Sequence, residues 1–70
     1  MMDTNQRRLA LSDELNQMAN RIGSLARRVG DVGDPGGAMD LAQTVAALRN
    51  IADGLEYGED GNLIRTEVGP

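Results

Sequence analysis

The 70-residue chain contains no cysteine, histidine, phenylalanine or tryptophan, and all seven of its basic residues are arginine. Without Cys there is neither a disulfide to constrain the unfolded chain nor a thiolate nucleophile, and without Cys or His the usual ligand sets for a structural zinc are missing. Without His, Cys or Lys, nothing is present to activate Ser12, Ser24, Tyr57 or the threonines for nucleophilic or acid–base chemistry. No enzymatic activity, metal or cofactor is therefore expected. The single aromatic side chain, Tyr57, offers no stacking platform for single-stranded nucleic acid. Long apolar runs are missing as well: nothing approaches the roughly 18 consecutive apolar residues of a membrane span. Leu9-Ala10-Leu11, after Arg7-Arg8, is interrupted by Asp13 and Glu14 before it reaches the length of a signal-peptide core. A cytoplasmic protein without a membrane partner is the expectation.

What is present is a run of apolar residues at Leu11, Leu15, Met18, Ile22, Leu25, Val29 and Val32, spaced alternately four and three apart. This is a heptad stripe, and it predicts a first helix over about residues 3–30, capped by Asp3 or Thr4, with Ser12 as a later competing start. With Leu11, Met18, Leu25 and Val32 placed at d, Leu15, Ile22 and Val29 fall at a, and Ala19 and Ala26 fall at e. A face that includes a, d and e suits a helix with more than one neighbour, as in a four-helix bundle.

Gly30 to Gly37 reads Gly-Asp-Val-Gly-Asp-Pro-Gly-Gly, a turn over 30–37 in which Pro35 cannot continue the preceding helix. A phosphate-binding loop would need a preceding strand and a lysine, and it would not carry two acids. A second helix follows over about 38–53, or from Pro35 with Asp34 as its cap, and Gly54 supplies a stop. Its stripe is Ala38, Leu41, Val45, Leu48, Ala52 and Leu55. Folding back at the turn should bring Leu41 near Leu25, Leu48 near Met18 and Leu55 near Leu11. Residues 1–55 thus form a helical hairpin, and 56–70 form an acidic, Gly-rich tail that is expected to be disordered or loosely docked, with a short hairpin between Leu55–Tyr57 and the Leu63–Val68 segment as the alternative. The first helix is the longer, so its N-terminal end, with Arg7, Arg8 and Leu9, overhangs.

Charge is divided along the chain. Residues 1–30 carry Arg7, Arg8, Arg21, Arg27 and Arg28 against Asp3, Asp13 and Glu14, whereas 31–70 carry Arg49 and Arg65 against Asp31, Asp34, Asp40, Asp53, Glu56, Glu59, Asp60 and Glu67. The net charge of −4 argues mildly against general nucleic-acid binding. Arg7, Arg21 and Arg28 share the g edge of the first helix, where Glu14 interrupts them; the favoured reading is that they cover the bundle edge and pair with acids, and the alternative is that Arg21 and Arg28 hold phosphate. The acids Glu56, Glu59 and Asp60 lack the alternating pattern of a calcium loop.

A chain of this size buries only about 60% of its unfolded surface, so with no staple available it should gain stability by self-association. The fold expected is all-α: an antiparallel hairpin that dimerises into a four-helix bundle, with a core of Leu11, Leu15, Met18, Ile22, Leu25, Val29, Leu41, Val45, Leu48, Ala52 and Leu55. This architecture resembles the Rop family of small plasmid RNA-binding regulators in length, in small/large layering and in the acidic tail after an aromatic, Tyr57-Gly58-Glu59-Asp60-Gly61. The resemblance implies an RNA-binding regulator, with Arg21 and Arg28 as the candidates. The residues themselves favour a non-enzymatic regulator or inhibitor of a larger cellular protein, of the kind phages and mobile elements carry. Ile51, Leu55, Tyr57, Leu63 and Ile64 are its candidate contacts. A structural subunit of a larger complex is the third reading.

Overall fold

The computed structural model describes residues 3–64 and contains two packed helices, α1 (Thr4–Asp31) and α2 (Pro35–Leu55). The expected contributions of residues 65–70 to the tail lie outside the described residues. Asp3 is the N-cap of α1: its carboxylate accepts from the Gln6 backbone N–H at 2.7 Å, and the Gln6 side chain accepts from the Asp3 N–H in return. This reciprocal pair satisfies two of the donors that a helix start leaves open. The cap at Asp3, rather than Ser12, makes α1 28 residues long, roughly 42 Å.

The link between the helices is tighter than the glycine-rich 30–37 segment suggests. α1 continues through Gly30 to Asp31, and the left-handed residue is Gly33, at φ +92°. Asp34 N–H donates to Val29 O and Gly33 N–H to Gly30 O, which closes the last turn of α1. Asp34 then caps α2 by accepting from Gly37 N–H at 2.9 Å, with Pro35 in the first turn, where its missing N–H costs nothing. Gly37 is required here because a Cβ would collide with the Asp34 carboxylate and crowd Val29. α2 therefore starts at Pro35 rather than 38. It also runs through Gly54, which is not its stop, and ends at Leu55.

The seam between the helices is made from small residues. Ser12, Ala19 and Ala52 are fully buried, and the Ser12 hydroxyl donates to Ala52 O at 2.9 Å. From that pair, antiparallel progression sets Ala19 level with Val45 and Ala26 level with Ala38, so a small residue recurs every seven positions on α1 and meets a small or β-branched one on α2. Short side chains let the backbones approach closely and gain dispersion contacts along the seam. Leu15, Ile22 and Val29 of α1 and Leu41, Leu48 and Leu55 of α2 flank this seam, half-buried.

This arrangement corrects the expected pairing. The heights predicted for Leu25–Leu41, Met18–Leu48 and Leu11–Leu55 are close to those adopted, but the e row, not the d row, faces α2. At about 100° per residue, the d row of α1 is turned to one side. The competing principle was volume: the large d side chains would have held the helices apart, whereas Ser12, Ala19 and Ala26 do not.

The open end of the hairpin is closed by α1 and the tail. Arg8 Nε donates to Tyr57 O at 2.8 Å and its NH2 group donates to Gly54 O at 3.2 Å. With Ser12 on Ala52 O one turn further on, α1 supplies donors to the carbonyls that the end of α2 leaves open, and Arg8 brings positive charge to the negative end of the helix dipole. The tail turns back on itself beyond Glu56: Tyr57 and Leu63 form a single antiparallel bridge, Gly58 N–H donates to Asn62 O and Ile64 N–H to Glu56 O. Over 56–64 the tail is thus docked and turned back as in the hairpin alternative, and it covers the overhang of α1. Replacing Arg8 by alanine is expected to cost about 1 kcal/mol, as loss of charged-group hydrogen bonds does at a half-exposed site. Hydrogen exchange at the Gly58 and Ile64 amides should quicken, while protection near Ala19 falls only as far as global stability does.

No helix among the described residues is long and apolar enough to cross a membrane.

Candidate interaction surfaces

Two apolar surfaces remain open after the hairpin has formed. The first is the d row of α1, where Leu11 is 50%, Met18 48%, Leu25 45% and Val32 83% exposed. Helical position places Ile51, 55% exposed, on the same side of the hairpin, level with the interval between Leu11 and Met18. Asp40, Thr44 and Ala47 continue the α2 side of this face. The hydrogen bond from Arg49 to Asn20, at 2.8 Å, marks the opposite, polar side and fixes which way the two helices are rotated. A single half-exposed leucine needs no explanation, but a heptad row of them along one helix does.

The charged g row borders this face. Glu14 and Arg21, with Gln17 and Met18 between them, line a surface hollow of about 260 Å³. These four residues stand at i, i+3, i+4 and i+7, the four-residue set that receives a side chain from a facing helix in knobs-into-holes packing. Arg21 and Arg28, the candidate phosphate ligands, are both exposed on this edge.

The second surface is at the open end, where Tyr57 and Leu63 are each about half exposed on the two sides of the β-bridge. Leu55 and Ile64 are half-buried beneath. Of the five proposed contact residues, the structure therefore groups Tyr57, Leu63 and Ile64 in the folded tail and sets Ile51 on the α1 d-row side. Sequence reasoning missed Arg8 and Ser12, whose roles depend on the end of α2 lying across from them. Within the tail, Asp60 is held below the usual carboxylate range because the Asn62 backbone N–H, and then its side-chain amide, donate to it. That contribution to the turn is present above the ordinary Asp pKa and is lost as pH falls through the lowered one.

Among the described residues, no group of three or more acidic side chains is placed to hold a metal ion. No family model, curated protein or solved structure matches the chain. What can be stated of its class is that it is an all-α antiparallel helical hairpin with an apolar face of heptad spacing on its outer side.

Proposed function

We propose that the chain is a non-enzymatic regulator or inhibitor that works by binding a larger protein, and that it does so as a helical homodimer. The observation that carries this reading is the exposed row Leu11, Met18 and Leu25, which is too regular for a solvated face and too apolar for a nucleic-acid one. The two apolar surfaces divide the work: the d row holds the second chain, and the Tyr57–Leu63 end meets the regulated protein. The phosphate-binding reading draws less support. Arg8 and Arg49 are engaged within the hairpin, and Glu14 interrupts the remaining stripe.

Tyr57→Ala is expected to weaken capture of the host partner by roughly 1 to 2 kcal/mol, as truncation of an anchoring aromatic does, without change in circular dichroism. The comparison is Arg21→Ala with Arg28→Ala. If that double variant stays folded but loses a salt-sensitive complex with RNA, and Tyr57→Ala has no effect, the protein is an RNA-binding regulator instead.

A further inference from the structure

We infer that the occupant of the d-row face is a second copy of this chain, laid with its α1 antiparallel on α1 about a two-fold axis at Met18, and with Glu14 of each copy paired to Arg21 of the other. The inference rests on the homodimeric reading above and adds its geometry.

Two observations point to a second copy in this arrangement. The first is the self-complementarity that a two-fold interface demands. An axis at Met18 puts Leu11 over Leu25 of the second copy, Met18 over Met18, and Leu25 over Leu11, so every large apolar residue of the row except the rim residue Val32 finds an apolar partner. The second is charge. The hollow carries an anion at one end, Glu14, and a cation at the other, Arg21. Antiparallel docking at Met18 lays each over its opposite.

The other two-fold arrangements fare worse on the same residues. A parallel α1–α1 contact, with its two-fold axis along the helices, places the g edges of the two copies on opposite sides of the seam, so that Glu14 and Arg21 gain no partner of opposite charge there. Moving the antiparallel axis to midway between Met18 and Leu25 pairs Glu14 with Arg28 and Leu11 with Val32 but sets Arg21 against Arg21 beside the axis, at the centre of the seam. In the arrangement at Met18, Ala47 comes level with the axis, where its small side chain lets α2 approach α2. The like-charge juxtaposition of Arg28 with Arg7 of the second copy occurs twice, once at each exposed end beside Asp31, where salt and water screen it.

Because the native chain has no cysteine, single cysteines report the axis directly. Sedimentation of the full chain is measured first, and then Leu11→Cys, Met18→Cys and Leu25→Cys are each oxidised mildly under dimeric conditions. Met18→Cys alone should form a covalent dimer readily, and a mixture of the Leu11→Cys and Leu25→Cys chains should cross-link to each other but not to themselves. Glu14→Arg and Arg21→Glu should each raise the dimer Kd roughly tenfold, as two exposed pairs turned repulsive do, and the double variant should return it to near the native value. A dimer that cross-links equally at all three positions, or at none, overturns the arrangement and leaves the homodimer standing. A chain that sediments as a monomer overturns both.

Discussion

Ala19→Asp is expected to abolish the fold. Ala19 is fully buried on the small-residue seam, two turns beyond Ser12 and level with Val45. A carboxylate there has no cation to meet, and its size alone would force the helices apart. An uncompensated buried charge costs about 3 to 5 kcal/mol, against a total stability of only a few kcal/mol for a chain of this length. Circular dichroism at 25 °C should show loss of most helical signal, and sedimentation should show loss of any assembly. A variant that kept native helicity would mean that α2 does not pack on the Ser12–Ala19–Ala26 row.

Met18→Asp, one position before Ala19, is expected to behave differently. Met18 lies outside the seam and half-exposed, so the hairpin tolerates a carboxylate there while the d-row contact does not. On the proposed two-fold axis the substitution would bring two carboxylates together in an apolar interface, and a loss of dimer affinity of at least about a hundredfold is expected from like-charge juxtaposition and desolvation. The variant should sediment as a single chain, retain helical circular dichroism at low temperature, and melt at a temperature that no longer rises with concentration. If it unfolds as fully as Ala19→Asp, the d row belongs to the hairpin core after all; if it remains a dimer, the interface is elsewhere.

The contrast between these neighbours shows how far the sequence could be read. Heptad spacing made both helices legible, and Asp3 or Thr4 stood as the start of the first, of which Asp3 is the cap adopted. The heights at which the helices pair followed from the length of the link. Which row faces inward did not follow, because a wide a/d/e face offers two seams. The choice between them was made by side-chain volume: Leu11, Met18 and Leu25 are the more apolar row, but Ser12, Ala19 and Ala26 admit closer backbones. Gly54 read as a stop, yet Arg8 and Ser12 reach across from α1 to satisfy the carbonyls there, and no local pattern announces a cap supplied some 40 residues away. The tail's short hairpin was the less favoured reading for a related reason. An isolated Tyr57–Leu63 pairing would be marginal in water, and what steadies it is Arg8 on Tyr57 O, a contact that exists only once the hairpin has formed.

The candidate surfaces were legible as residues and not as surfaces. Ile51, Leu55, Tyr57, Leu63 and Ile64 are close in sequence, and one helical turn more or less decides which way each points. Ile51 lies on the side of the d row, while Tyr57 and Leu63 stand beyond the end of α2 on their own small turn. The g-edge charges gained meaning once the d row was seen to be open beside them, since Glu14 and Arg21 then border a face of heptad spacing rather than a closed core.

The central claim is that this hairpin is half of a symmetric assembly held by its d row. Sedimentation equilibrium of the native chain at micromolar concentration tests it most directly. The expected result is a mass twice the 7.5 kDa of one chain, falling to one chain on dilution, with the melting temperature rising as concentration rises. A folded species of single-chain mass, with a melting temperature independent of concentration, would contradict it.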